Sequence, residues 1–321
     1  MVSQEGYIGA RERFIEKVES VYGTAVSLTG AETPGVNLQV TPTFSQNFQE
    51  IMNNGGDVRT LTSKVAGPLS LAYSLQFSPI DWHMLKYVFD IDSETGTSPT
   101  THTLLIGNTL MSFTSEWAMQ HSTDPLIYLM DGNIITNFRI AFNKATSEGS
   151  DGFITCVANC IAQGYTTPAS VTAGDFTDTG IPFQYRHSAA IINSVAVIPV
   201  NSGEIVFTQG INAGDSRYAD TSLGREIGAP IATVFKISGR LNLNLFATTY
   251  STLWEAAAAL SGTNTIAFTQ SASNKITFTF TNMYVSPVPH NGTAKEGVDT
   301  GDFVFTATSV AVVAVDGIAN W

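Results

Sequence analysis

Two stretches decide how this chain reads: Val65–Val88, VAGPLSLAYSLQFSPIDWHMLKYV, and Ile237–Leu260, ISGRLNLNLFATTYSTLWEAAAAL. Laid over one another without a gap, they put Gly67 on Gly239, Leu69 on Leu241, Leu71 on Leu243 and Trp82 on Trp254. In each, a strand opens with glycine, alternates apolar and polar residues, and runs into a short amphipathic stretch carrying the tryptophan. Gly67, Leu69, Trp82, Gly239, Leu241 and Trp254 are therefore expected to anchor the core of a repeated unit. Farther along, Leu110–Trp117 (LMSFTSEW) has a counterpart in Lys275–Asn282 (KITFTFTN), and Phe153–Ala158 (FITCVA) one in Phe303–Thr308 (FVFTAT). Two related β units in one polypeptide are implied.

A chain of 321 residues is about two domains' worth and long enough for substantial cores. The stretch Thr166 to Gly180, rich in Thr, Gly, Asp and Ser, has the make-up of an exposed connection. It divides the chain into a first domain with an N-terminal arm, residues 1–178, and a second, residues 179–321. Only 13% of residues are charged, while Thr, Ser, Asn, Phe and Val abound, a composition suited to strands with hydroxyls on their outer faces. Interface cores are depleted in charge, so self-association is expected. The 15 basic and 27 acidic residues give a formal charge of −12, which speaks against a surface that must neutralise phosphates.

Gly9–Ser20 is charged and reads as helical, unlike the apolar heart of a secretory signal, and no apolar run of about 18 residues occurs. A cytoplasm is the expected place of synthesis. Periodicity and turn residues predict a helix over Glu12–Val21 and strands over 36–43, 65–77, 110–119, 126–129, 134–142 and 153–162. Asp131-Gly132 reads as a two-residue hairpin turn. The second unit is expected to hold strands over 189–198, 204–209, 235–247, 266–270, 275–285 and 302–315. Short helices are expected over Asp81–Phe89 and Tyr250–Leu260. Ser45–Arg59, Asp92–Thr101 and Asn212–Glu226 read as loops, the first and last long enough to reach a neighbour. Cys156 and Cys160 share one expected strand, about 13 Å apart, too far for a disulfide, and read as buried thiols.

Nothing reads as a catalytic, cofactor or metal site. His83, His102, His121, His187 and His290 are scattered, without HExxH or a Cys/His cluster at zinc spacing. There is no GxSxG elbow and no phosphate-cradling GxxxxGK[ST] loop. Asp90, Asp92 and Glu94 alternate before Gly96, but the glycine comes one place late for an EF-hand and Thr101 stands where the closing Glu belongs. Asn291-Gly292-Thr293 matches a glycosylation sequon but reads as a turn.

Six segments follow one another along the chain: Glu19–Ala25 (ESVYGTA), Val65–Leu71 leading to Trp82, His102-Thr-Leu before Met111–Thr114, Asp131–Ile140, Ile181-Pro-Phe, and Lys275–Met283. In this order they resemble the tail tube, or major tail, proteins of long-tailed viruses. The resemblance implies a mainly β protein made of two tandem tail-tube-like β-sandwich or barrel domains, each with a short flanking α-helix. It implies a structural virion protein rather than an enzyme. Sheets joining edge to edge form rings that stack into a hollow tube for passage of viral DNA, and joining removes exposed edges. A duplicated chain would build from three copies the six-membered ring that single-unit relatives build from six.

The partners so implied are further copies of the chain and the tail tip, tape-measure and terminator proteins, in a virion tail assembled in a host cytoplasm. DNA passes without specific binding along an acidic wall. If strands 110–119, 134–142, 204–209 and 275–285 line it, Glu116 and Glu204 are the expected lumen-facing acids, with Arg139 and Lys275 on the same strands. The competing reading is a carbohydrate- or receptor-binding β-sandwich component of a virion tail, which would expose an aromatic-lined pocket.

Overall fold

The computed structural model describes residues 12–52, 61–119, 125–144, 152–172, 180–195, 200–212, 230–244, 260, 262–286, 300–318 and 321, with the backbone alone for 46–52, 61–69, 92 and 300. The strands are β1 Glu12–Val18, β2 Val36–Met52, β3 Leu61–Ser78, β4 Asp90–Thr95, β5 Thr100–Leu105, β6 Phe113–Met119, β7 Leu126–Asn143, β8 Thr155–Ala162, β9 Gly164–Thr166, β10 Ser188–Ile191, β11 Val200–Asn212, β12 Ile231–Asn244, β13 Asn264–Ser271, β14 Asn274–Val285 and β15 Thr300–Asp316. The protein is mainly β, as its composition suggests, and these strands join in one antiparallel sheet.

Strand order carries the architecture. One run is β1-β6-β7-β8-β3-β2 and the next is β10-β13-β14-β15-β12-β11. Ranked by position in the chain, both runs read first, fourth, fifth, sixth, third, second. They meet where β7 pairs with β11, from Ser202 opposite Asn143 to Thr208 opposite Asn137. The β4–β5 hairpin stands outside the scheme and lies along β15, Leu104 opposite Val312. Val65–Val88 and Ile237–Leu260 thus begin on third-ranked strands, and Phe153–Ala158 and Phe303–Thr308 overlap sixth-ranked ones. The match of Leu110–Trp117 to Lys275–Asn282 crosses the order, because β6 ranks fourth and β14 fifth.

The sheet presents one apolar and one polar face, through period-two alternation. Phe138, Ile140 and Phe142 of β7, Ile205 and Phe207 of β11, Leu241 of β12, Phe303 and Phe305 of β15, and Phe278 of β14 are buried. Their alternates Asn137, Arg139, Glu204, Thr208, Arg240, Thr306 and Thr279 are partly or fully exposed. Trp82 covers the apolar face, with ring centroids 5.1 Å from Phe183, 5.5 Å from Phe268 and 6.4 Å from Phe278. β1 returns beside β2: Val40 N–H donates to Glu12 Oε1 at 3.0 Å, and Phe14 packs on Tyr73. The result is a β-sandwich-like body.

Several expected elements differ. Glu12–Val18 is a strand, not a helix, because its charges go to tertiary partners: Glu12 accepts from Trp117 Nε1 at 2.7 Å and Arg13 pairs with Glu116 at 2.7 Å. The expected loop from Ser45 is strand as far as Met52, where β3 supplies its hydrogen bonds. Asp92–Thr101 is mostly the β4–β5 hairpin. The helix at Asp81–Phe89 is a 3-10 helix over His83–Tyr87. Asp131-Gly132 makes no hairpin turn; β7 continues through it, with Asp131 opposite Gly164 of β9. Gly132, at φ +59°, supplies the left-handed residue that bends this long strand.

Candidate functional site

The joint between the two runs is the surface with most to say. Across the β7–β11 ladder the polar face carries Arg139 and Glu204, whose Nε–Oε2 and Nη2–Oε2 distances are 2.9 and 2.7 Å. Arg240 lies 3.8 Å from Asp302 on the next strands. Asn242 Nδ2 donates to Asp302 Oδ1 at 2.8 Å, and Asn137 Nδ2 to Thr208 Oγ1 at 2.9 Å. Lys236 and Lys275 fall on the same face by alternation. Among the described residues of these strands, four cations there oppose two carboxylates, so the chain's −12 is carried elsewhere.

Of the two expected lumen acids, Glu204 lies on this open face, about one third exposed, and is held by Arg139. Glu116 does not: it is 1% exposed, pairs with Arg13, and accepts from Thr172 N at 3.0 Å and Thr172 Oγ1 at 2.6 Å. β6 turns this residue into the body, where a lone carboxylate would be costly and a paired one is stable. Sequence alternation had no means to choose between its two faces.

The repeat anchors behave unevenly. Trp82 is buried at 2%. Gly239 sits under Phe305: a Cβ there would lie 2.3 Å from Phe305 Cζ and 2.7 Å from Glu204 O. Leu241 is fully buried. Gly67 lies in β3 at a register shift between the Leu69–Gln46 and Ala66–Phe48 pairs, whereas Gly239 sits in an even ladder. Trp254 and residues 250–259 of the expected second helix lie outside the described residues, as do 53–59 of the first expected loop and 213–226 of the second.

Sheet edges complete the surface. Beyond Phe44, β2 has β3 as its one ladder partner among the described residues. On β14, pairing with β13 ends at Phe280. Past it, among the described residues, a bridge from Leu260 to Met283 is the contact on that side, and Tyr284 is 49% exposed.

A buried knot that no motif search finds is Glu19. Its Oε2 accepts from Ser112 Oγ at 2.7 Å and Gly23 N at 3.0 Å, and its Oε1 from Thr114 Oγ1 and Gly132 N, each at 2.9 Å. One carboxylate thereby ties β6, the bend of β7 and the turn at Gly23, whose φ is +67°.

A second charged group gathers Glu16, Glu32, Asp81, His83 and Lys86. Burial opposes charge on Glu16 and His83, yet each favours the other's charged form. The Glu16 carboxyl ends below its ordinary range, helped by Lys86, and Asp81 and Glu16 hold the His83 imidazolium well above its own. Cys156 and Cys160 are buried free thiols on one strand. Burial pushes both up, Cys160 to about 12.

Among the described aromatic residues, Trp117 stacks on Tyr128, and Phe44 on Tyr165. No helix among the described residues is long and apolar enough to cross a membrane. No known family model matches this chain, and no curated protein matches it.

Proposed function

We propose that this chain is a structural subunit built of two tandem tail-tube-like units, which polymerises through sheet edges into rings stacked as the tail tube of a long-tailed virus. The carrying observation is the β7–β11 ladder, where the fifth-ranked strand of one run pairs with the second-ranked strand of the next. Applied once more, the same step sets β14 of one copy against β2 of another. Among the described residues, β2 has β3 as its one ladder partner and β14 runs past Phe280 beyond its ladder with β13, edges that a solitary chain would leave as an aggregation hazard.

Geometry favours three copies. Each chain gives the continuous order β2-β3-β8-β7-β11-β12-β15-β14, so three chains give 24 strands around a ring. At about 4.8 Å between strands and a tilt near 40°, such a barrel is about 50 Å across between backbones, wide enough for a duplex. The polar face would form the wall, and there two of the four cations are paired with carboxylates, Arg139 with Glu204 and Arg240 with Asp302. The wall proposed here is one of ion pairs and hydroxyls, in place of the acidic wall that net charge suggested.

Tail tip, tape-measure and terminator proteins are the partners this role calls for in a virion tail. The competing sugar- or receptor-binding module has less support among the described residues, where Trp117 stacks on Tyr128 and Phe44 on Tyr165.

Engineered cysteines test the edge pairing. Thr43→Cys on β2 and Tyr284→Cys on β14 together are expected to give covalent dimers and trimers on mild oxidation, with neither single variant doing so. The native thiols, at 0% and 1% exposure, stay silent. Negative-stain images of the unmodified protein should show rings or tubes. A concentrated sample that stays monomeric and does not cross-link would overturn the proposal.

A further inference from the structure

We propose that Glu16, Glu32 and His83 form a binding site for a divalent transition-metal cation, with zinc the best fit to one imidazole and two carboxylates. Glu16 comes from β1, Glu32 from the segment that bridges back to it, and His83 from the 3-10 helix. The bridge is a pair of backbone hydrogen bonds, Glu16 N to Glu32 O at 2.9 Å and Glu32 N to Glu16 O at 3.0 Å. His83 Nε2 lies 3.0 Å from Glu16 Oε1 and 3.8 Å from Glu32 Oε2. One donor atom from each of the three residues falls within 4.8 Å of the others. Bonds of about 2.0–2.1 Å at tetrahedral angles put neighbouring ligands about 3.3 Å apart, between the two measured spacings.

Two observations beyond proximity point to a ligand. Glu16 is 0% and His83 1% exposed, and Glu16 Oε1 and His83 Nε2 have no hydrogen-bond partner of good geometry although they face one another. The outer contacts are those of a metal-binding histidine: Nδ1 is hydrogen-bonded to Asp81 Oδ1, so a cation that displaces the Nε2 proton would meet the Nε2 lone pair beside the carboxylates. Tyr87 O–H donates to Glu16 Oε2 and fixes that carboxylate in turn.

The charge count agrees. Lys86 Nζ, 3.1 Å from Glu32 Oε2 and 4.0 Å from Glu16 Oε1, is the resident cation. Against Asp81, Glu16 and Glu32 it leaves this buried group two negative charges when the imidazole is neutral, and one when it is protonated. A divalent cation on neutral His83 brings the sum to zero, which a low-dielectric interior favours. It would staple β1 to the 3-10 helix that carries Trp82 over the core. Lys86 competes with the cation for Glu32, which supplies a control that a purely structural ion pair lacks.

The experiment is equilibrium dialysis of the full chain against zinc, with cobalt as a spectroscopic stand-in. The unmodified protein is expected to retain about one zinc per chain at micromolar free metal and to gain thermal stability from it. Asp81→Asn should weaken binding about 10- to 100-fold by freeing the His83 ring, and Glu32→Gln, at a partly exposed position, at least as much. Lys86→Met should tighten it by removing the competitor. Cobalt should give visible bands that Glu32→Gln abolishes. Failure of the unmodified, folded protein to retain zinc would overturn the site. So would retention unchanged in Glu32→Gln or weakened in Lys86→Met.

Discussion

Removing the Glu19 carboxylate is expected to be among the costliest single changes in the first half of the chain. Four donors converge on it: the Ser112 and Thr114 hydroxyls and the Gly23 and Gly132 amides. A hydrogen bond to a charged group contributes about 1.5–3 kcal/mol net, and a buried donor left alone costs about 1–3 kcal/mol. Glu19→Gln keeps an acceptor for Thr114 and Gly132, and the Ser112 hydroxyl is free to turn and accept from the new amide. Gly23 N–H alone loses its partner, so the expected loss is about 2 kcal/mol. Glu19→Ala strands all four donors and leaves a cavity. Solvent reaches the Gly23 side, so a full sum overstates the effect, and about 4–5 kcal/mol is expected. Urea unfolding followed by far-ultraviolet circular dichroism, at a protein concentration low enough to keep copies apart, measures both. Equal losses for the two variants, or an Ala variant within about 1.5 kcal/mol of the parent, would refute the accounting.

Trp82→Ala should lose about 3–5 kcal/mol, while Trp82→Phe stays within about 1.5 kcal/mol, because it keeps a ring against Phe268 and deletes a buried indole N–H with no acceptor among the described residues; unfolding curves that coincide would contradict this. Gly239→Ala should cost about 1–3 kcal/mol by driving a methyl into Phe305, and Phe305→Leu in the same chain should recover part of it in a double-mutant cycle. The thiols should resist a disulfide reagent at neutral pH until the protein unfolds, a rate measured with and without urea. A thiol whose folded value is raised contributes stability below its ordinary value and loses it as pH rises. The Cys160 contribution should therefore fade between about pH 9 and about pH 12, and Cys160→Ala should flatten the stability profile there.

Much of the sheet was legible because alternation is a local signal. Lys275–Val285 and Phe153–Ala162 show it plainly: the first is strand throughout and the second is strand from Thr155 onward. The strand order common to the two runs was foreshadowed where the matched stretches fall on third- and sixth-ranked strands. The match failed at Leu110–Trp117, since β6 and β14 share a pattern of Phe and Thr without sharing a place. Glu12–Val18 misled for a different reason: acids and bases three and four apart look like a solvated helix face, and only tertiary partners reveal where those charges go. The same blindness hid Glu19 and the Glu16–His83 group, whose members lie 67 residues apart in sequence. Glu116 was misplaced because period two fixes that neighbours point oppositely, not which of them points inward.

β15 occupies the interior of its run, between β14 on one side and β12 and β5 on the other. It also leaves the ribosome after all three. A nascent chain therefore carries three unpaired strand borders until Thr300–Asp316 emerges, and closure of the sheet waits on contacts as distant in sequence as Thr100 with Asp316. Such contacts are slow to form, and the waiting borders are open to foreign strands. Synthesis order thus separates two events: the chain must finish its own sheet before β14 has a stable border. On the proposed function, timing alone would then hold back polymerisation by half-made subunits.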